Sequence, residues 1–182
     1  CIWHSYRIRN SRSNYSTWPV ALMNPLLQSV QIALQNAEQK EAIDFIDRVV
    51  EFCVEHENGK VFDGWEEEMI RLMVAYHWAK QTLIVHHNAD ETIRGVFMWY
   101  NCNRDDGWSF INNWEPDAED GDSIFMAFLF SEGKDSFKKL TRDFVDKCPE
   151  VLTKNKIGLR YRSGFPKRMN YSNKLFKKII NN

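Results

Sequence analysis

The sequence predicts an α+β fold: a mixed, mostly antiparallel sheet flanked by helices, with a helical segment at its N-terminal side. Three observations predict it. Apolar residues recur at helical spacing through residues 24–80, the pattern changes to short β-branched and aromatic runs over 82–130, and an amphipathic helix, a strand and a closing helix follow. A chain of 182 residues, 43% apolar and 14% aromatic, buries enough surface to hold a core without metal or disulfide staples.

In order along the chain, Asn24 suits a helix cap and Pro25 the first helical position, with Leu26, Leu27, Val30, Ile32, Ala33 and Leu34 as the apolar face. A second helix over Glu38–His56 turns Ile43, Phe45, Ile46, Val49, Val50, Phe52 and Val54 inward. A third follows Asp63 as N-cap, with Glu66, Glu67 and Glu68 where the helix dipole favours acids. Thr82–His87 and Ile93–Tyr100, joined by Asn88-Ala89-Asp90, form a hairpin. Trp108–Trp114 is a further strand, and the apolar run Ser123–Phe130 is a strand buried on both faces. After the loop Ser131–Ser136, an amphipathic helix spans Phe137–Cys148 and stops at Pro149; Lys156–Arg162 is a strand and Asn173–Ile180 the closing helix. Residues 1–22 read as a basic arm or a processing artefact, and 23–182 as one domain.

The net charge of −1 conceals a division. Residues 1–22 carry +3, residues 23–133 carry seven bases against twenty-one acids, and residues 134–182 carry fourteen bases against four acids. Either the two halves attract each other in the folded chain, or the basic end holds a phosphorylated partner. The four cysteines show no metal-ligand spacing, and no apolar run reaches eighteen residues, so a cytoplasmic protein without a membrane span is expected. His86 and His87 are adjacent in a strand and face opposite sides, which does not suit a shared metal. Cys102 has no His and carboxylate arrangement to make it a nucleophile.

The element order from Gly64 to Ile180, with Ile93-Arg94-Gly95-Val96-Phe97 opening the second hairpin strand, resembles the GNAT acyltransferase superfamily. The resemblance implies transfer of an acyl group, acetyl in the simplest case, from acyl-CoA to an amine. It places the donor against the strand residues Phe128 and Phe130 and the loop residues Gly133, Lys134, Asp135 and Ser136, where backbone N–H groups at a helix start would hold the pyrophosphate. One glycine stands in that loop where the family shows two. Glu115, at the end of the Trp108–Trp114 strand, is the first choice of base, and His87 the second. Tyr171 is the nearest substitute for the family's late-helix tyrosine acid. The stretch from Trp108, through Trp114, Gly121 and Asp122 to Asn173–Lys178, is similar to the toxin-activating lysine acyltransferases.

The basic C-terminal run, from Lys154 to Lys178 with Tyr161, Phe165 and Tyr171 interleaved, supports an alternative. In that alternative the chain is a non-catalytic viral or mobile-element protein on the same fold, binding nucleic acid or a protein partner.

Overall fold

The computed structural model describes residues 39–57, 61–62, 64–103, 118, 120–162 and 165–181. The basic segment 1–22, the helix expected from Asn24 and the strand expected over Trp108–Trp114 lie outside the described residues. Among the described residues two helices, α1 (Gln39–Glu55) and α2 (Glu67–Ala79), precede the hairpin of β1 (Leu83–His87) and β2 (Ile93–Cys102). Then follow β3 (Ser123–Ser131), α3 (Gly133–Lys147), a single 3-10 turn (Pro149–Leu152), β4 (Asn155–Arg162), β5 (Phe165–Tyr171) and α4 (Asn173–Ile180). Among the described residues five strands lie in the order β1-β2-β3-β4-β5. Neighbours are antiparallel except β3 and β4, which run parallel because α3 crosses over between them. The α+β class expected from the sequence is the class observed.

Two helix starts differ from the expectation by more than two residues, and one strand was not expected. α2, the helix expected directly after Asp63, begins at Glu67, with Glu66 as its N-cap and no side-chain cap bond, so here the acids at the positive end of the dipole mark the start. The helix expected from Phe137 begins at Gly133, whose φ of +78° lets the chain turn out of β3 directly into a helix. The supposed loop is therefore mostly the helix's first turn. The sequence assigns no element to Phe165–Tyr171, part of the basic run, and it is a strand; among the described residues β5 is at the sheet's edge, where Pro166 is tolerated.

Each face of the sheet has its own core. On one, α1 and α2 pack Ile46, Val49, Cys53, Ile70, Met73 and Val74 against Val96, Met98 and Phe125. On the other, α3, the 3-10 turn and α4 bring Leu140, Phe144, Val151 and Phe176 onto Ile84, Phe97, Trp99 and Ile124. Burial of each large side chain stabilises by about 1.5–3 kcal/mol. Ile43 and Val54, expected inward, are 46% and 43% exposed, because the inward stripe of α1 runs through Ala42, Ile46, Val49, Val50 and Cys53.

In β3 the alternation breaks and resumes. Phe125 and Ala127 face the α1/α2 core, and so do Phe128 and Phe130, whereas strict alternation would turn Phe128 to the other side. The pairing explains it: Met98 opposes Phe128 while the next residue, Trp99, opposes Met126, so Ala127 is the extra residue of a β-bulge. A second irregularity in β2 leaves Arg94 as the extra residue, because His86 opposes Gly95 and His87 opposes Ile93.

Candidate functional site

The parallel ladder between β3 and β4 is short. It runs over four pairs, from Ser123↔Asn155 to Met126↔Gly158, although β3 continues to Ser131 and β4 to Arg162. The ladder ends next to the bulged Ala127, and a bulge bends its strand away from regular pairing. The last pair includes Gly158, and β5 lays Tyr171 across that glycine: a Cβ there would stand 3.0 Å from the Tyr171 ring and 3.7 Å from its hydroxyl. Tyr171, expected at the start of the closing helix, is thus the last residue of β5, paired with Lys156, with its hydroxyl beside the point where β3 and β4 part.

An apolar cavity of about 80 Å³ adjoins this point, lined by Phe97, Met126, Leu129, Phe137 and Leu175, with Tyr171 in its wall. Behind it, Lys156 anchors α4. Its ammonium is buried and donates to the carbonyls of Val151, at 2.6 Å, and Lys154, at 2.8 Å, and to Asn173 Oδ1, and it lies over the Phe176 ring. Burial lowers its pKa from the usual lysine value.

At the other end of β3, the start of α3 is tied to β2. The Arg94 carbonyl, turned out of the ladder by the bulge, accepts from the Glu132 N–H at 2.8 Å and from the Ser136 hydroxyl at 2.6 Å. The Arg94 guanidinium holds one oxygen of Glu132 at 2.6 Å, and His56 Nε2 lies 2.8 Å from the other. Gly95 makes this approach possible, since a Cβ there would lie 2.5 Å from Ser136 Oγ and 2.7 Å from a Leu140 methyl. The His86 ring nitrogen Nδ1 is 3.0 Å from Ser136 Oγ. That hydroxyl already donates to Arg94, so it accepts from His86, and the pair is not a serine activated by a histidine base.

The residues singled out in the sequence separate accordingly. Gly133, Lys134 and Asp135 are exposed on the first turn of α3, and the space above Gly133 is open to 4 Å. Ser136 is buried with its hydroxyl committed. The side chains of Phe128 and Phe130 pack with Phe62 in the α1/α2 core and are turned away from the α3/α4 face. Glu115 lies outside the described residues. His87 lines a separate open cleft of about 340 Å³ with Phe45 and Trp78. It stands on β1, two strands from β3, a distance of about 10 Å at the usual strand spacing, and cannot reach the β3/β4 opening. Its pKa is lowered by burial and then by Arg48. Burial also raises the thiol pKa of Cys53, and pushes that of Cys148 up to about 11, so neither is a poised nucleophile. The sequence did not single out Gly158 or His56, nor the tie of Arg94 to Glu132; a glycine inside the run Lys156–Arg162 is the signal for a close approach.

The charge division becomes a division between the faces of the sheet. α1 and α2 carry seven acids and three bases, whereas α3 and α4 carry eight bases and three acids. Arg71 pairs within its own layer, with Asp47 at 2.8 Å and with Glu67 and Glu68 at 3.3 Å, and Lys139 likewise pairs with Asp143. Among the described residues no helix is long and apolar enough to cross a membrane.

These features define a mixed α/β protein with an opening between two parallel strands and a tyrosine beside it. No family model matches the chain, and no curated protein matches it.

Proposed function

We propose that the chain is an N-acyltransferase of the GNAT type, which transfers an acyl group, acetyl in the simplest case, from acyl-CoA to an amine. One observation carries the reading: the parallel ladder stops after four pairs at Met126↔Gly158, beside a bulge and the Tyr171 hydroxyl. Beyond that pair β3 and β4 no longer bond to each other, and strand edges that part in this way suit an extended, amide-bearing arm such as the pantetheine of coenzyme A. The exposed first turn of α3, with Gly133 in its left-handed conformation and Lys134 beside it, suits the pyrophosphate. Glu132 would oppose an anion, but Arg94 and His56 engage its carboxylate.

In the reaction the amine lone pair attacks the thioester carbonyl carbon and the carbon–sulfur bond breaks. The departing sulfur takes the proton of Tyr171 Oη. The proton released by the amine passes to a base, the role the family resemblance assigns to Glu115.

Thermal shift with acetyl-CoA tests the proposal. Ligand at 100 times its Kd stabilises by about 2.7 kcal/mol, which raises Tm by about 5–11 °C for a chain of this size. Stabilisation by acetyl-CoA that Gly133→Asp abolishes is the expected result. No shift at millimolar acetyl-CoA refutes the reading.

A further inference from the structure

The basic layer has a shape as well as a charge. On α3, Phe137 and Thr141 line one wall of the apolar cavity, and on α4 Leu175 and Ile179 line the other. At about 100° per residue, the side chains next round α3 from that wall are Lys134 and Lys138, with Arg142 continuing the row one turn on. The acids of α3, Asp135, Asp143 and Asp146, fall on the flank away from the cavity. On α4 the residues bordering Leu175 on the solvent side are Lys174 and Lys178, one turn or about 6 Å apart, and this helix contains no acid. An apolar cleft therefore runs between two basic rows. The opposite face of the sheet, with the surplus of acids on α1 and α2, repels a polyanion, so among the described helices α3 and α4 are the ones that can receive it.

We infer that the α3/α4 face binds single-stranded nucleic acid, with phosphates on the two rows and unpaired bases against the cleft. Charge complementarity selects a polyanion. The cleft selects one whose apolar rings are accessible, which a duplex keeps stacked inside. A lipid surface fits less well, because of the apolar arc of α4 only Leu175 is largely exposed, whereas Phe176 is buried and Ile179 half-buried against the cavity. The inference does not depend on acyl transfer, and it uses neither Tyr171 nor the α3 first turn beyond Lys134.

The test is fluorescence anisotropy of a labelled oligo-dT with the full chain, between 50 and 200 mM salt. Five phosphate contacts give a log–log slope of about −3.5 and a loss of affinity of about 100-fold over that range. Replacing Lys138, Lys174 and Lys178 together by Gln should bring the slope to about −1.4 and the loss to about 7-fold. Tm should fall by no more than a few degrees, because Lys174 and Lys178 are exposed and Lys138 is half-buried. Arg48→Gln, on the acidic layer, should behave as the unmodified chain. The inference is overturned by absence of binding at 50 mM salt, by a triple variant that binds oligo-dT as the unmodified chain does, or by tighter binding to duplex than to single strand. Equal capture by phosphatidylserine vesicles or poly-glutamate, or complete displacement by acetyl-CoA, overturns it as well.

Discussion

Gly95→Ala should destabilise the protein by about 2–4 kcal/mol, although alanine is the smallest side chain available. A Cβ at this position would stand 2.5 Å from Ser136 Oγ, 2.7 Å from a Leu140 methyl and 3.2 Å from the Phe130 carbonyl. Relief requires either that α3 move off β2 or that two side chains shift. Leu140 is fully buried, and such overpacking typically costs about 1–3 kcal/mol. Rotating Ser136 away gives up its bond to the Arg94 carbonyl, which is worth about 1 kcal/mol. The sum corresponds to a fall in Tm of about 4–16 °C, since each kcal/mol moves Tm by about 2–4 °C in a chain of this length. Urea denaturation gives the free energy directly, and a double-mutant cycle tests its origin. On a Ser136→Ala background the closest clash is gone, so Gly95→Ala should cost at least about 1 kcal/mol less there. A Gly95→Ala cost below about 0.5 kcal/mol, or a cost unchanged by Ser136→Ala, would refute the idea that close approach of α3 to β2 explains this glycine.

Further expectations concern the site and the buried polar groups. Tyr171→Phe should lower kcat for acetyl transfer by about 100-fold with little change in acetyl-CoA affinity, and an unchanged kcat removes Tyr171 as the acid. Lys156→Met leaves the Val151 and Lys154 carbonyls and Asn173 Oδ1 without their donor, so urea denaturation should show a loss of about 2–4 kcal/mol. His77 is fully buried, with Nδ1 2.8 Å from the Thr82 hydroxyl, and burial lowers its pKa to about 3, offset in part by the Trp99 backbone. Its folded pKa lies below the ordinary 6.5, so the unfolded chain binds the extra proton between the two values. Stability is therefore complete above about pH 6.5 and is lost as pH falls toward 3. Relative to His77→Gln, the unmodified chain should lose about 1.4 kcal/mol more per pH unit between pH 6 and 4, and parallel pH profiles would contradict this.

Most elements were legible in the sequence because their signals are local. The dense apolar spacing of α1, the β-branched runs of the hairpin and the stop at Pro149 depend on neighbours within one or two turns. The start of α3 was misjudged because Gly133 reads as a loop residue, whereas its positive φ serves a tight passage into the helix. β5 escaped notice because Pro166, Lys167 and Arg168 have no apolar alternation to betray a strand. Of the candidate site, Tyr171 and Gly133 could be singled out from the sequence, but their surroundings could not. The bulge at Ala127 falls in the run Ser123–Phe130, where both strand faces are apolar, so a change of facing leaves no trace in the pattern.

The sequence by itself determined the α+β class, the order of most elements and the separation of charge into an acidic stretch and a basic one. Composition and short-range periodicity suffice for those. Only the tertiary structure decided that the acidic helices α1 and α2 and the basic helices α3 and α4 occupy opposite faces of the sheet. It also decided that β3 and β4 part at Gly158 under Tyr171. The first follows from the crossover through α3, which joins β3 and β4 and carries the basic segment to the other side of the strands, and the second from the bulge at Ala127; both rest on contacts between residues too far apart in the chain for any local pattern to encode.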